Sequence, residues 1–292
     1  MVSKLLLTDA YSALGSAISH TLESRPYNLL MPEPGEIDWG QPEAVMSYLD
    51  EHRPAVVINS LGWAEKPDVT QQLLLVTAAK HLAAACHSLD IVPIHLSSFR
   101  VFGGENKSAY DERDKPSPLG PEGRAFLEAE RSFEGLKRHI NLRLSWVLSE
   151  DPSSLVQRYL SALTRADGVL ELLEDYRGAP THAGDVARVI SAMIPQIHHG
   201  AENWGAFHYA SSEAVTEVEV VEALAEVLGE SNKLKGRWQL QELNEEDAVV
   251  APSSAVLSVR RCRDNFGVQT HGWRQGLKSL VDHILQGAVL PS

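Results

Sequence analysis

Short apolar runs alternate with longer segments of helical periodicity along most of this chain. Leu5-Leu6-Leu7-Thr8 is a compact apolar run of the kind a buried parallel strand requires. Ala13-Leu14-Gly15-Ser16-Ala17-Ile18 then opens a helix, and Leu29-Leu30-Met31-Pro32-Glu33 supplies a second strand. Gln41-Pro42-Glu43 is the start signal of a helix running from Pro42 to His52. The alternation continues with a strand at Ala55–Asn59, an Ala/Leu-rich helix from Leu73 to Ser88, and a strand from Ile91 to Leu96. Pro121 to Leu136 reads as a helix with proline in its first turn. Asn141–Val147 is a strand, and helices span Leu155 to Arg165 and Val218 to Leu228. Strands and helices at this spacing predict an α/β fold with a parallel sheet covered on both faces.

Composition narrows this picture. A chain of 292 residues with 43% hydrophobic content can bury one large core, or a main domain with a smaller lobe. The net charge of −13 excludes nucleic acid or an anionic membrane as a partner held by bulk electrostatics. An anionic ligand would need a local basic pocket. The two cysteines, Cys86 and Cys262, make no disulfide framework and suit a reducing compartment. No apolar run is long enough to span a membrane and no secretory leader is recognisable, so a cytoplasmic protein is expected. The twelve histidines show no metal-ligand spacing, and no metal is expected. Ser97 and Ser98 do not sit in a nucleophile elbow, which leaves hydrolase chemistry without support.

Several segments resemble a known family in order along nearly the whole chain. Ile94-His95-Leu96-Ser97-Ser98-Phe99-Arg100-Val101-Phe102-Gly103-Gly104 and Pro118-Leu119-Gly120-Pro121-Glu122-Gly123-Arg124-Ala125-Phe126 resemble the active-site region of extended short-chain dehydrogenase/reductases, closest to the dTDP-4-dehydrorhamnose reductase family. Leu142-Arg143-Leu144-Ser145-Trp146-Val147, Gly178-Ala179-Pro180-Thr181 with Asp185-Val186-Ala187, and Trp273-Arg274-Gln275-Gly276-Leu277 are similar to later motifs of that family. The resemblance implies a Rossmann-like doubly wound sheet with a smaller C-terminal α/β substrate lobe. The expected division is residues 1–150 for the core, with a degenerate dinucleotide-binding region, and 151–292 for the lobe, interleaved with the core.

The resemblance also exposes what is missing. The family carries a Ser/Thr hydroxyl, matched here by Ser98, and a Tyr-x-x-x-Lys whose positions fall on Glu122 and Phe126. Residues four apart share one helix face, so the lysine charge would lower the tyrosine pKa and ready it to protonate an alkoxide. Phe126 can play no such part, and an ionised Glu122 would repel an alkoxide. Phe126 is expected either to fill the nicotinamide space or to stack on a ligand ring. The family's glycine-rich turn falls on Asp9, Ser12 and Gly15, where only the last glycine survives and Asp9 places a carboxylate near the diphosphate. Thr8, Ser12 and Gly15 are therefore weak cofactor candidates. No arginine follows the second strand to meet a 2′-phosphate. Trp146, Arg177, Pro180 and Thr181 match the family's substrate region, with core packing or a surface ion pair as the competing reading of Trp146 and Arg177.

These departures favour a non-catalytic relative with a binding or regulatory role, directed at a sugar nucleotide or a protein partner, without a cofactor. The alternative is an NADPH- or NADH-dependent reductase of a 4-keto-6-deoxy sugar nucleotide, with Tyr110, Tyr11 or Glu122 supplying the proton. The sequence leaves the oligomeric state open, a homodimer included.

Overall fold

The computed structural model describes residues 2–104, 108–173, 175–241 and 254–287. Its first half builds β1 (Ser3–Leu7), α1 (Ala13–Glu23), β2 (Tyr27–Leu30), α2 (Pro42–His52), β3 (Val56–Asn59), α3 (Val69–Leu89), β4 (Val92–Ser98), α4 (Pro121–Phe133) and β5 (Ile140–Leu144). The second half adds β6 (Val147–Leu148), α5 (Leu155–Leu163), β7 (Val169–Leu173), β8 (Arg177–Gly178), β9 (Thr181–His182), α6 (Ala183–His198) and β10 (Gly205–Tyr209). It continues with β11 (Val215–Thr216), α7 (Glu217–Glu230), β12 (Arg237–Gln241), β13 (Ser254–Ala255) and two closing helices, Arg260–Phe266 and Leu277–Gly287.

Among the described residues the main sheet has six parallel strands in the order β10-β5-β4-β3-β1-β2. Every residue of β3, β4 and β5 is buried, which explains their unbroken apolar character better than alternation would. The order reverses at β1, where the chain first runs outward to β2 and then back through β3 to β10. Ligands of such sheets bind beyond the carboxyl ends of the strands, at a reversal of this kind. Smaller sheets, β11-β8-β13, β12-β7 and β6-β9, build the remainder. β10 comes from the second half of the chain yet pairs with β5 in the main sheet, and α6 packs on α1.

Two elements differ from the periodicity in an instructive way. α3 starts at Val69, ahead of the predicted Leu73. Asp68 caps it by accepting from the Gln71 backbone N–H (2.8 Å), and the Gln71 side chain accepts from the Asp68 N–H (2.9 Å). The predicted strand from Asn141 to Val147 divides at Ser145-Trp146 into β5 and β6. There Ser145 Oγ donates to the Ala255 carbonyl (2.6 Å) and accepts from the Ala179 N–H (3.0 Å), so two distant segments bind the break. Both cysteines are free and buried. No described helix is long and apolar enough to cross a membrane.

Candidate functional site

The turn after β4, the loop after β3, the first turn of α4 and the segment between β7 and β8 supply the polar groups of the candidate site. Beyond β4 the chain makes a 3-10 turn, Phe99–Val101, that carries Arg100. Gly123 lets α4 lie directly against this turn: a Cβ there would stand 2.1 Å from the Arg100 carbonyl oxygen. That close approach sets Glu122, in the first turn of α4, beside the Arg100 guanidinium. Arg100 Nη1 donates to Glu122 Oε2 at 3.2 Å, with the two side chains only 10% and 15% exposed. Arg100 Nε donates to the Glu65 carbonyl at 2.9 Å, which ties the loop after β3 into the same cluster.

The Glu65 side chain is itself buried, and its Oε2 accepts from the Val147 N–H at 3.1 Å. Burial raises the Glu65 pKa, while the charges of Arg100 and Arg158 and the Val147 hydrogen bond pull the other way. From the segment between β7 and β8 comes Tyr176, whose hydroxyl accepts from Trp146 Nε1 at 3.3 Å. Burial raises the Tyr176 pKa as well, against the charge of Arg100. Glu65, Arg100 and Glu122 thus form one polar cluster, with Tyr176 close enough to feel the charges of Arg100 and Glu65. Only Glu122 belongs to the residues singled out from sequence.

The other sequence candidates have local structural duties. Ser98 caps the 3-10 turn, its Oγ accepting from the Arg100 N–H at 3.3 Å. Phe126 is completely buried. That removes it from any contact with a ligand ring. Trp146 is also completely buried, edge-to-face on Tyr176 with ring centroids 4.9 Å apart. Gly178 makes room for it, since a Cβ there would lie 2.3 Å from the indole. Trp146 therefore braces Tyr176 and is not itself exposed. Thr181 Oγ1 donates to the Ala179 carbonyl (2.9 Å) and accepts from the Ser211 N–H (2.9 Å). Pro180 is buried beside it, while Arg177 projects from β8 into solvent.

At the turn after β1, Thr8 Oγ1 donates to Asn59 Oδ1 (3.2 Å) and accepts from the Ser60 N–H (3.2 Å), joining β1 to β3. Ser12 is the N-cap of α1 and accepts from the Gly15 N–H at 3.1 Å. Gly15 is demanded by packing, because a Cβ would meet the Asp9 carbonyl oxygen at 1.7 Å. Tyr11 is 54% exposed, and its pKa is raised by a hydrogen bond to Glu33. Tyr110 is buried and stacked on Phe102 at 4.3 Å. Neither tyrosine joins the cluster.

The nicotinamide dinucleotide implied by the family resemblance does not fit these residues. The Gly15 N–H, one of the free donors a diphosphate would seek at the α1 N-terminus, already bonds Ser12. Burial raises the Asp9 pKa, against hydrogen bonds from Ser12 that lower it. A diphosphate at this turn would lie near that carboxyl group. Beyond α4's first turn, the lysine position holds the buried Phe126, and no described group of three or more His, Cys, Asp or Glu could hold a metal ion instead.

Comparison with known proteins places this arrangement. The chain is 25% identical over 290 residues to a dTDP-4-dehydrorhamnose reductase of Aggregatibacter actinomycetemcomitans, covering 96% of this chain and 98% of that protein. It is 30% identical over 244 residues to a probable low-salt glycan biosynthesis reductase of Haloferax volcanii, covering 76% and 79%. Among solved structures, a dTDP-4-dehydrorhamnose reductase from Clostridium acetobutylicum superposes with a TM-score of 0.81 at 24% identity, covering 97% of this chain and 99% of that one. A dTDP-4-dehydrorhamnose reductase from Bacillus anthracis in complex with NADP gives 0.80 at 20% identity, covering 97% and 100%. The last two likenesses carry the fold alone. The profile of the RmlD substrate binding domain matches residues 3–286, and the chain belongs to that family.

Proposed function

We propose that this protein binds a sugar nucleotide beside the Arg100–Glu122 pair and does not reduce it. Hydride transfer to a ketone builds an alkoxide, which must receive a proton as the bond forms. The observation that carries the reading is the Glu122–Arg100 ion pair at the start of α4, with Phe126 buried on the next turn. That helix face offers a paired carboxylate and a hydrocarbon ring, and neither gives up a proton. Family membership and the activities named for the relatives support a sugar nucleotide as the ligand, whereas a shared fold alone would not supply the chemistry.

Calorimetry with NADPH and NADH is expected to show no binding at millimolar cofactor. With dTDP-4-dehydrorhamnose present, cofactor oxidation is expected to stay at background. Micromolar cofactor binding together with turnover would overturn the reading.

A second reading, an active reductase, has support in the reductase names of relatives spanning nearly the whole chain. In it the proton donor is proposed to be the buried Glu65, whose pKa burial raises against the charges of Arg100 and Arg158. Turnover that disappears in Glu65→Gln while the fold is retained would select it.

A further inference from the structure

Arg260, Arg261 and Arg263 crowd one short helix of a chain whose net charge is −13. They do different work. Arg261 is spent on the scaffold: Nη1 donates to the Ala206 carbonyl (2.6 Å), Nη2 to the Trp204 carbonyl (2.9 Å), and the guanidinium lies over the Phe207 ring. Arg260 and Arg263, three apart, share another side of the helix and both line an open cleft of about 570 Å³. The Arg260 guanidinium has no partner among the described residues. Arg263 engages only Nε, on Asp264 at 3.1 Å.

Ser212, Ser258 and Thr270 line the same cleft, and none of their hydroxyls bonds another described residue. No described Asp or Glu lines it. Of the carboxylates close by in sequence, Asp264 is held by Arg263. Glu213 is turned towards Gly272, where an added Cβ would stand 3.3 Å from its Oε1. Like charges this close on a helix repel one another, so an anion between them relieves a strain that the protein's own groups leave in place. A guanidinium presents five N–H donors in a fixed fork that matches carboxylate and phosphate. A carboxylate has two oxygens to receive them, a phosphate monoester three. Two guanidinium groups with three hydroxyls beside them suit the phosphate. The cleft is also of the size that small-molecule sites have, and Val256, Leu257 and Val259 give it an apolar wall.

We propose that this cleft binds a small phosphate monoester. Arg260 and Arg263 grip the phosphate, the three hydroxyls serve its remaining oxygens or the ligand's own hydroxyl groups, and the apolar wall lies against the body of the molecule. No lining residue belongs to the Glu65–Arg100–Glu122 cluster, and the proposal does not depend on the sugar-nucleotide reading.

The test is titration calorimetry of the whole protein at low ionic strength with glucose 6-phosphate, AMP, inorganic phosphate and glucose. One or both monoesters are expected to bind at submillimolar concentration and more tightly than inorganic phosphate, and glucose not at all. Arg260→Gln removes charge-assisted hydrogen bonds and is expected to weaken binding about tenfold or more. The double variant Arg260→Gln/Arg263→Gln is expected to abolish it, with an unchanged circular dichroism spectrum because both side chains are exposed. Arg131→Gln, at an exposed arginine of α4, controls for bulk charge and is expected to leave the affinity as it was. Silence of both monoesters at millimolar concentration, an unaffected double variant, or an equal loss in Arg131→Gln would overturn the site. Inorganic phosphate binding as tightly as the monoesters would overturn the role of the apolar wall. Displacement of the monoester by dTDP-glucose would overturn the independence of this cleft from the sugar-nucleotide site.

Discussion

Two of the three glutamates of helix α4, Glu122 and Glu130, lie about two turns apart and each holds an arginine. The pair nearer the end of α4 is saturated. Glu130 Oε1 accepts from Ser97 Oγ (2.5 Å) and Arg143 Nε (2.8 Å), and Oε2 accepts from Arg143 Nη2 (2.6 Å). Arg143 further lies over the Phe102 ring and reaches His208 Nε2 at 3.4 Å. The pair at the start of α4, Glu122 with Arg100, has one contact at 3.2 Å and spare atoms on both sides. A charge pair with both carboxylate oxygens engaged fastens α4 to the sheet and cannot exchange partners without exposing a buried ion. A pair left partly unused can accept a further partner without giving up its existing contact. The same residue types on one helix thus serve structure at one end and recognition at the other.

The sharpest way to break this contrast is to remove one glutamate at a time. Glu130→Ala strands Arg143 in the core and is expected to cost about 3–5 kcal/mol, read from denaturant unfolding. Acid is the next probe of the saturated end. Burial and the adjacent Arg143 charge lower the His208 pKa from 6.5 to about 3. His208 Nδ1 faces the Tyr110 carbonyl at 3.2 Å and Nε2 faces Arg143, which suits the neutral ring with its proton on Nδ1. Above pH 6.5 the ring is neutral in both folded and unfolded chains. As pH falls from 6.5 towards 3, only the unfolded chain takes up the proton, so stability falls across that window. The loss attributable to His208 at pH 5 is about 2 kcal/mol. His208→Gln is expected to flatten the stability–pH curve by that amount, and an unchanged slope would show that the ring is not held neutral. Glu65 acts in the opposite direction, because a raised carboxyl pKa favours the folded chain as pH falls. At the unsaturated end, Glu122→Gln is expected to cost less, about 1–2 kcal/mol, since a single contact at 3.2 Å is given up and an amide oxygen remains to accept from Arg100. A loss as large as that of Glu130→Ala would erase the distinction between the two pairs.

Much of the fold was legible because buried parallel strands and capped helices leave local marks. The α2 boundaries follow from Gln41-Pro42, and the early start of α3 was written in Asp68 and Gln71, a capping signal that hydrophobic periodicity does not register. The break at Ser145-Trp146 was not legible, because what causes it are hydrogen bonds to Ala179 and Ala255, far along the chain. The cleft was half legible. Family positions led to Glu122 and Phe126, but not to the arginine that neutralises one of them. Arg100 lies within an otherwise apolar run, and a lone guanidinium there, together with a carboxylate at the start of the following helix, was the available signal. Glu65 left no such mark: its importance comes from burial and from the Val147 N–H, which only the folded chain brings to it. Thr8 and Thr181 show the converse, hydroxyls that match family positions and are consumed by the scaffold.

The pairing of β10 with β5 has a consequence for how the chain comes into being. The ribosome delivers β5 by residue 144, but the strand that covers its outer edge ends at residue 209. Through that interval of synthesis, β5 presents a row of unsatisfied amide and carbonyl groups on a fully buried, apolar strand. Such an edge is a template for pairing with another nascent chain. The main sheet therefore closes late, by a contact between distant parts of the sequence, and the slow step of folding is expected to be that closure and not the assembly of the first five strands.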